Sequence, residues 1–190
     1  MSLRELRTAS RPIELRKSET GTTAAGYAAV FNAESSPIYD MFREIIKPGA
    51  FARSLSDGSD IVALYGHEMN DVLGRTSAGT LKLSEDATGL AFEIALPDTS
   101  LGRDVATLLQ RGDLKGASFG FRTRSATWPE AKSADGLPIR ELLDVELIEI
   151  SLTAFPAYPD TSAALRDMYT AQLSYWRRKR AERILQISSK

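Results

Sequence analysis

The sequence predicts a mainly β domain with flanking helices, an α+β protein, and three observations carry the prediction. Short runs rich in aliphatic and aromatic residues recur between Gly26 and Thr161, several of them alternating with polar residues as half-buried strands do. Turn signals separate these runs at Lys47-Pro48-Gly49, Asp57-Gly58, Ser77-Ala78-Gly79 and Asp135-Gly136. Helical spacing appears in two stretches instead, one on each side of residue 118.

Residues 1–25 read as an N-terminal arm. Arg4, Arg7, Arg11, Arg16 and Lys17 interrupt the start of the chain with no apolar run between them, which is unlike a secretory signal. Strands are expected at Tyr27–Phe31, Ile61–Tyr65, Thr80–Leu83 and Leu90–Ala95. After Pro97, the residues Asp98, Thr99 and Ser100 offer an N-cap, Leu101, Val105, Leu108 and Leu109 recur at helical spacing, and Gly112 offers a C-cap. Two further strands follow at Ser118–Thr123 and Leu142–Leu152, with Ala131–Pro138 as a surface loop between them. Near Asp160 or Thr161 a long helix begins, with Leu165, Met168, Tyr169, Gln172 and Trp176 on one face ahead of a basic cluster at Arg177–Arg180. The expected organisation is therefore an arm over 1–25, one domain over 26–161 and a basic amphipathic C-terminal helix over 162–190.

Composition narrows the chemistry. Of the 190 residues, 43% are hydrophobic and 26% charged, the balance of a soluble globular domain large enough to bury a core. No run approaches a membrane span, so no membrane association is expected and the cytoplasm is the expected location. With no cysteine and one histidine, there is no disulfide framework, thiolate nucleophile or multi-histidine zinc site, and no metal or other cofactor is expected. The net charge of −1 is uneven: residues 163–190 hold seven basic and two acidic side chains, a net +5, which leaves −6 on the rest. A basic tail on an acidic body suits docking on an acidic surface, and equally suits a solvated helix face.

A serine hydroxyl is a weak nucleophile until a base takes its proton. Ser118 lies in Gly116-Ala117-Ser118-Phe119-Gly120, and His67 is the sole histidine, so these two form the candidate pair. The Gly-x-Ser-x-Gly pattern matches the α/β-hydrolase nucleophile elbow, but that elbow joins a strand to a helix and its histidine follows the serine. Here a helix precedes Ser118, Phe119 and Phe121 continue as a strand, and His67 lies upstream, which excludes an α/β-hydrolase. On a strand, Phe119 and Phe121 face one side while Ser118, Gly120 and Arg122 face the other. Gly116 and Gly120 would admit a substrate backbone and free main-chain N–H groups for an oxyanion.

His67 follows the apolar run Ile61–Tyr65, at the end of a strand, and needs an orienting group on its second nitrogen. Strict alternation along the last strand puts Asp144, Glu146 and Ile148 on one face and Val145, Leu147, Glu149 and Ser151 on the other. Glu149 would then share an apolar face and need a partner to offset desolvation, which singles it out. Glu146 reads as solvated, although a β-bulge would reverse the assignment.

At these residues the chain resembles the prohead proteases of tailed bacteriophages. The resemblance spans Gly26 to Thr161 and rests on ordered landmarks: Gly26-Tyr27-Ala28-Ala29-Val30-Phe31-Asn32, Pro48-Gly49-Ala50-Phe51, the His67 segment with Leu73-Gly74-Arg75, and Gly79-Thr80-Leu81. It continues through Gly89-Leu90, Leu96-Pro97, Arg111-Gly112-Asp113-Leu114, Gly116 to Phe121, Glu149-Ile150-Ser151-Leu152 and Pro156-Ala157-Tyr158-Pro159. That family is similar to the herpesvirus assemblins, serine proteases built on a β-barrel surrounded by helices.

The resemblance implies a serine endopeptidase with Ser118 as nucleophile, His67 as general base and Glu149 as the acidic third member. Assemblins use a second histidine in that third place, and this chain has none. It further implies cleavage of the scaffold region of the major capsid protein, and of the enzyme itself, inside the assembling prohead in the host cytoplasm. A homodimer is implied too, and nucleic acid is not required. The basic C-terminal helix becomes a packaging or targeting segment removed on maturation. The competing reading is a catalytically silent scaffold or assembly factor that binds capsid subunits.

Overall fold

A computed structural model describes residues 4–9, 11–19 and 21–154 of the protein. Among the described residues the chain forms, in order, β1 (Glu5–Ala9), β2 (Glu14–Ser18), β3 (Gly21–Val30), β4 (Arg43–Ile46), α1 (Ala52–Ser56), β5 (Val62–Tyr65) and β6 (Val72–Arg75). There follow β7 (Leu81–Glu85), β8 (Gly89–Leu96), α2 (Ser100–Arg111), β9 (Gly116–Thr127) and β10 (Ile139–Thr153). The protein is mainly β, as its alternating runs predict.

One long strand organises the larger sheet. β10 carries β9 antiparallel along one edge, and its other edge takes β4 in parallel at Ile139–Leu142 and β5 in parallel at Glu149–Leu152. Between β4 and β5 that edge would be left with bare backbone groups, which burial does not tolerate. The segment through α1 satisfies them. Val145 N donates to Ala50 O at 2.9 Å, and the buried Ser54 hydroxyl both donates to Val145 O at 2.8 Å and accepts from Leu147 N at 3.0 Å. The sheet runs β1-β9-β10-β5-β6, and the second, β2-β3-β8-β7, is antiparallel throughout, with β3 and β8 joining two hairpins.

The apolar faces of the two sheets share one core. Leu90, Phe92 and Ile94 of β8 join Phe119 and Phe121 of β9 and Leu147 and Ile150 of β10. Phe51 stands edge-on to Phe119 at 5.3 Å, and Phe119 stacks on Phe121 at 5.1 Å, so the two phenylalanines do share the face their spacing predicts. The ladders of the two sheets do not join. Among the described residues the outer strands β1 and β6 of one, and β2 and β7 of the other, each ladder only inward, so the implied barrel is met there in its β character rather than as a closed ring of hydrogen bonds.

Residues read from the sequence as an arm carry two strands. β1 adds to β9, and β2 adds to β3, so the boundary expected at Gly26 falls inside β3. Both strands are charge-rich and lack an apolar alternation; β1 is held by ion pairs instead, and β2 is a solvated edge on which Arg16 meets Glu14 and Glu93. The C-terminal helix expected over 162–190 lies outside the described residues.

The helix before the serine forms as its end signals predict. Thr99 is extended at the N-cap and its hydroxyl accepts from Gly102 N at 3.2 Å, while Gly112 closes the helix at φ 78°. Val105 and Leu109 turn into the core. Replacing Thr99 with alanine should lower unfolding free energy by about 1 kcal/mol in urea titration, and Thr99→Ser should retain most of the wild-type value.

Candidate active site

Ser118 lies on β9 with a strand on either side. It pairs with Thr8 of β1 and with Ser151 of β10, and it is fully buried. Its hydroxyl donates to the main-chain oxygen of Arg7 at 2.7 Å. Because opposed residues in an antiparallel pair project to the same face, Ser118, Ser151 and the pair Gly120 and Glu149 line one surface of the sheet.

Glu149 reaches that surface through a bulge. The pairing of β10 with β9 slips between Leu147 and Glu149, so Leu147 opposes Phe121 while Glu149 opposes Gly120. Strict alternation would have kept Glu149 beside Leu147 on the core face; one extra residue turns it to the serine's face instead. The residue singled out is buried as expected, at 1% exposure, but for a different reason. Glu146, before the bulge, takes Arg122 at 2.7 Å and is part-exposed.

Gly120 makes room for this carboxylate. A Cβ on Gly120 would collide with Glu149 Oε1 and press on Arg4 Nε. The glycine expected to admit a substrate backbone is therefore packed under an acid side chain.

His67 follows β5 in a two-residue left-handed turn, with Gly66 at φ 59° and His67 at φ 66°. Left-handed backbone costs a non-glycine residue roughly 1–2 kcal/mol, and the turn persists because its amides are held. Gly66 N donates to Leu152 O at 3.0 Å, and His67 N donates to Ser151 Oγ at 3.1 Å. The imidazole then presents Nδ1 to Glu149 Oε1 at 2.8 Å. A carboxylate only accepts, so this contact places the proton on Nδ1 and leaves Nε2, which is buried without a hydrogen-bond partner among the described residues, as the basic nitrogen.

Glu149 collects two more donors. Ser151 Oγ donates to Oε2 at 2.7 Å, and Arg4 Nη2 donates to Oε1 at 2.5 Å. Burial pushes this carboxyl up, but the hydrogen bond and charge of His67, with Ser151 and Arg4, outweigh it and hold the pKa below the ordinary value. Arg4 also reaches Met69 Sδ at 3.8 Å, so it bridges the acid and the loop after His67.

A second polar cluster secures β1 beneath the opposite face. Arg7 lies over the Phe121 ring at 5.5 Å and pairs with buried Glu44 at 2.7 Å and with Glu5 at 2.9 Å. Glu5 also takes Arg140 at 2.7 Å. Burial raises the pKa of Glu5, but Arg140, Arg7 and Thr123 together bring it down to about 2.

The fold thus brings His67 and Glu149 into contact, 82 residues apart in sequence, with Ser118 on the same surface and its hydroxyl turned to Arg7 rather than to the imidazole. Sequence reasoning missed Arg4 and the donor role of Ser151. Ser151 stood two residues beyond Glu149, where a short polar side chain in an apolar strand was a signal; Arg4 gave none, as one of several arginines in a charged start.

Comparison with known proteins follows the same lines. The sequence profile described as caudovirus prohead serine protease matches residues 11–174. The prohead protease of Escherichia phage T5 is 28% identical over 118 residues, covering 62% of this chain and 51% of that protein, so the match spans about half the relative's length. The solved structure of the bacteriophage T4 capsid assembly protease, gp21, superposes with a TM-score of 0.56 over 80% of this chain and 98% of that one, at 9% identity, a likeness of fold.

With a single histidine, ¹⁵N NMR reads this site without assignment. In the neutral imidazole the spectrum should show the proton on Nδ1 rather than Nε2, and both Glu149→Gln and Gly120→Ala should erode that preference, the latter with about 1–3 kcal/mol of destabilisation from overpacking. Acid titration gives a second reading. A carboxyl held below its unfolded value contributes stability that is complete above the unfolded pKa and is lost as pH falls through the folded one. For Glu5 that window runs from about 4.5 down to about 2. Urea midpoints of the wild type should fall across it, and Glu5→Gln, destabilised already at neutral pH, should fall less steeply.

Proposed function

The chain belongs to the caudovirus prohead serine protease family, and from that premise we propose that it is a serine endopeptidase that cuts the scaffold region of the major capsid protein, and itself, inside the assembling prohead of the host cell. The observation that carries the reading is the contact of His67 Nδ1 with buried Glu149 at 2.8 Å, on the sheet surface that also holds Ser118. A buried carboxylate hydrogen-bonded to the sole histidine, over a glycine whose Cβ would clash with it, has no evident structural purpose that an apolar pair would not serve better.

In the proposed reaction Ser118 Oγ attacks the peptide carbonyl carbon as its proton passes to His67 Nε2. Glu149 keeps the proton on Nδ1 and stabilises the imidazolium that forms. The imidazolium then protonates the leaving amine, the C–N bond breaks, and an acyl-serine remains. Water, deprotonated by the same nitrogen, hydrolyses that ester and restores the hydroxyl. Glu149 is the preferred third member over Glu146, whose carboxylate is engaged by Arg122. Removal of the basic segment over 162–190 by self-cleavage, and a homodimer, belong to the same reading.

Co-expression with the major capsid protein tests it, read as the intact mass of both chains. Wild type should truncate the capsid protein, while Ser118→Ala and His67→Ala should leave it whole, and Glu149→Ala should slow truncation by about 10²–10⁴-fold. Equal truncation, or none, in all four would return the assembly-factor reading.

A further inference from the structure

We propose that β1 is an intramolecular strap, seated on the β9 edge over Ser118, that keeps the enzyme closed until residues 4–9 leave. The inference rests on Ser118 being the nucleophile. Three observations on one short segment carry it.

The first concerns the nucleophile. The Ser118 proton goes to Arg7 O at 2.7 Å, and the side chain is fully buried with β1 alongside, so neither a base nor a substrate carbonyl has access to the hydroxyl. The second concerns the base. Arg4, on the same segment, donates to Glu149 Oε1, the oxygen that His67 Nδ1 also uses. A guanidinium there competes for the charge that an imidazolium would need. One segment therefore engages two of the three groups at once.

The third is how β1 is attached. Among the described residues it is the outer strand of its sheet, laddered to β9. Its anchoring side chains are charged: Glu5 with Arg140, and Arg7 with Glu44. Desolvated ion pairs contribute little net stability, because rehydration of the strap's own charges, Glu5 and Arg7, offsets the attraction lost when it departs. When the strap goes, Glu44 and Arg140 still have each other at 3.2 Å. The body is left with a satisfied pair and with the free backbone edge of β9, which an extended peptide can pair with in β1's place. The family match begins at residue 11, after β1, so the strap lies outside the segment that defines the family.

The test uses the full chain and a fluorophosphonate that labels an activated serine, with labelling rate followed by intact mass. Arg7→Pro removes a main-chain N–H on the side of β1 that faces β9, where the Arg7 carbonyl lies, and Arg7→Glu sets a carboxylate against Glu44 and Glu5; residue 7 meets Ser118 through its main-chain oxygen, which both variants keep. Both should label about tenfold faster than wild type or better, since rate follows the open fraction. A synthetic peptide Arg-Glu-Leu-Arg-Thr-Ala, added to Arg7→Pro, should slow labelling again, and Ser118→Ala in that background should abolish it. Near-ultraviolet circular dichroism identifies a variant that has unfolded, and hydrogen exchange on the wild type covers that case. Amides of residues 5–9 should exchange faster than those of β10, and exchange only with global unfolding overturns the strap. Equal labelling in wild type and folded variants, with no effect of the peptide, also overturns it and leaves the serine reading intact. Labelling in none of them sinks the serine assignment, and the strap with it.

Discussion

A carboxylate buried on the face of a β-sheet has to be surrounded by donors, and the Glu149 carboxylate sets the terms for everything around it. The bulge after Leu147 turns it to the serine's face, Gly120 vacates the volume it needs, and His67, Ser151 and Arg4 supply its hydrogen bonds. Each adjustment has a cost of its own: a ladder position left unpaired, a glycine in a strand, a histidine in left-handed backbone. The Gly66-His67 turn is held against β10 by Ser151 Oγ and Leu152 O, so Ser151 fixes both the acid and the backbone of its partner.

The scaffold beneath is arranged so that these strands cannot drift. β10 is bonded to β9 on one side and to β4, the α1 segment and β5 on the other, which leaves the stretch around the bulge held from both edges. The phenylalanine face of β9 is locked into the core by Phe51 and Phe92. One face of the sheet therefore provides rigidity and the other provides polar groups, and β9 and β10 serve both at once. Such division lets a polar surface be built without loosening the fold.

How much of this the sequence disclosed follows from how local each signal is. Helix α2 was legible to its caps, because Thr99, the apolar period and Gly112 all act within a few residues of where they stand. The strands around Ser118 and Glu149 were legible from alternation and turns. Their faces were only half legible: Phe119 and Phe121 lie together as expected, whereas the bulge that turns Glu149 has no marker, since Leu147, Ile148 and Ile150 read as one apolar run. β1 and β2 escaped notice because neither is stitched in by apolar alternation; β1 depends on Glu44 and Arg140, residues that lie 37 to 135 positions away from their partners. Ser118 and His67 were accessible by scarcity, the chain having one histidine. Glu149 was reached through the resemblance and a burial argument whose premise the bulge replaces.

The strap also bears on the strength of the base. A carboxylate shared between an arginine and an imidazole divides its field between them, and here both donors reach the same oxygen, Oε1. When Arg4 leaves, Oε1 serves His67 alone while Ser151 continues to hold Oε2, so the acid stays oriented and buried but loses a fixed positive charge. In the proposed reaction, the imidazolium would then face an undivided negative charge in a low-dielectric setting, where such an interaction is stronger than in water. Opening the proposed strap would thus uncover the hydroxyl and free Glu149 Oε1 for the imidazole. Two consequences follow from one movement because Arg4 and the Arg7 carbonyl lie on the same short segment.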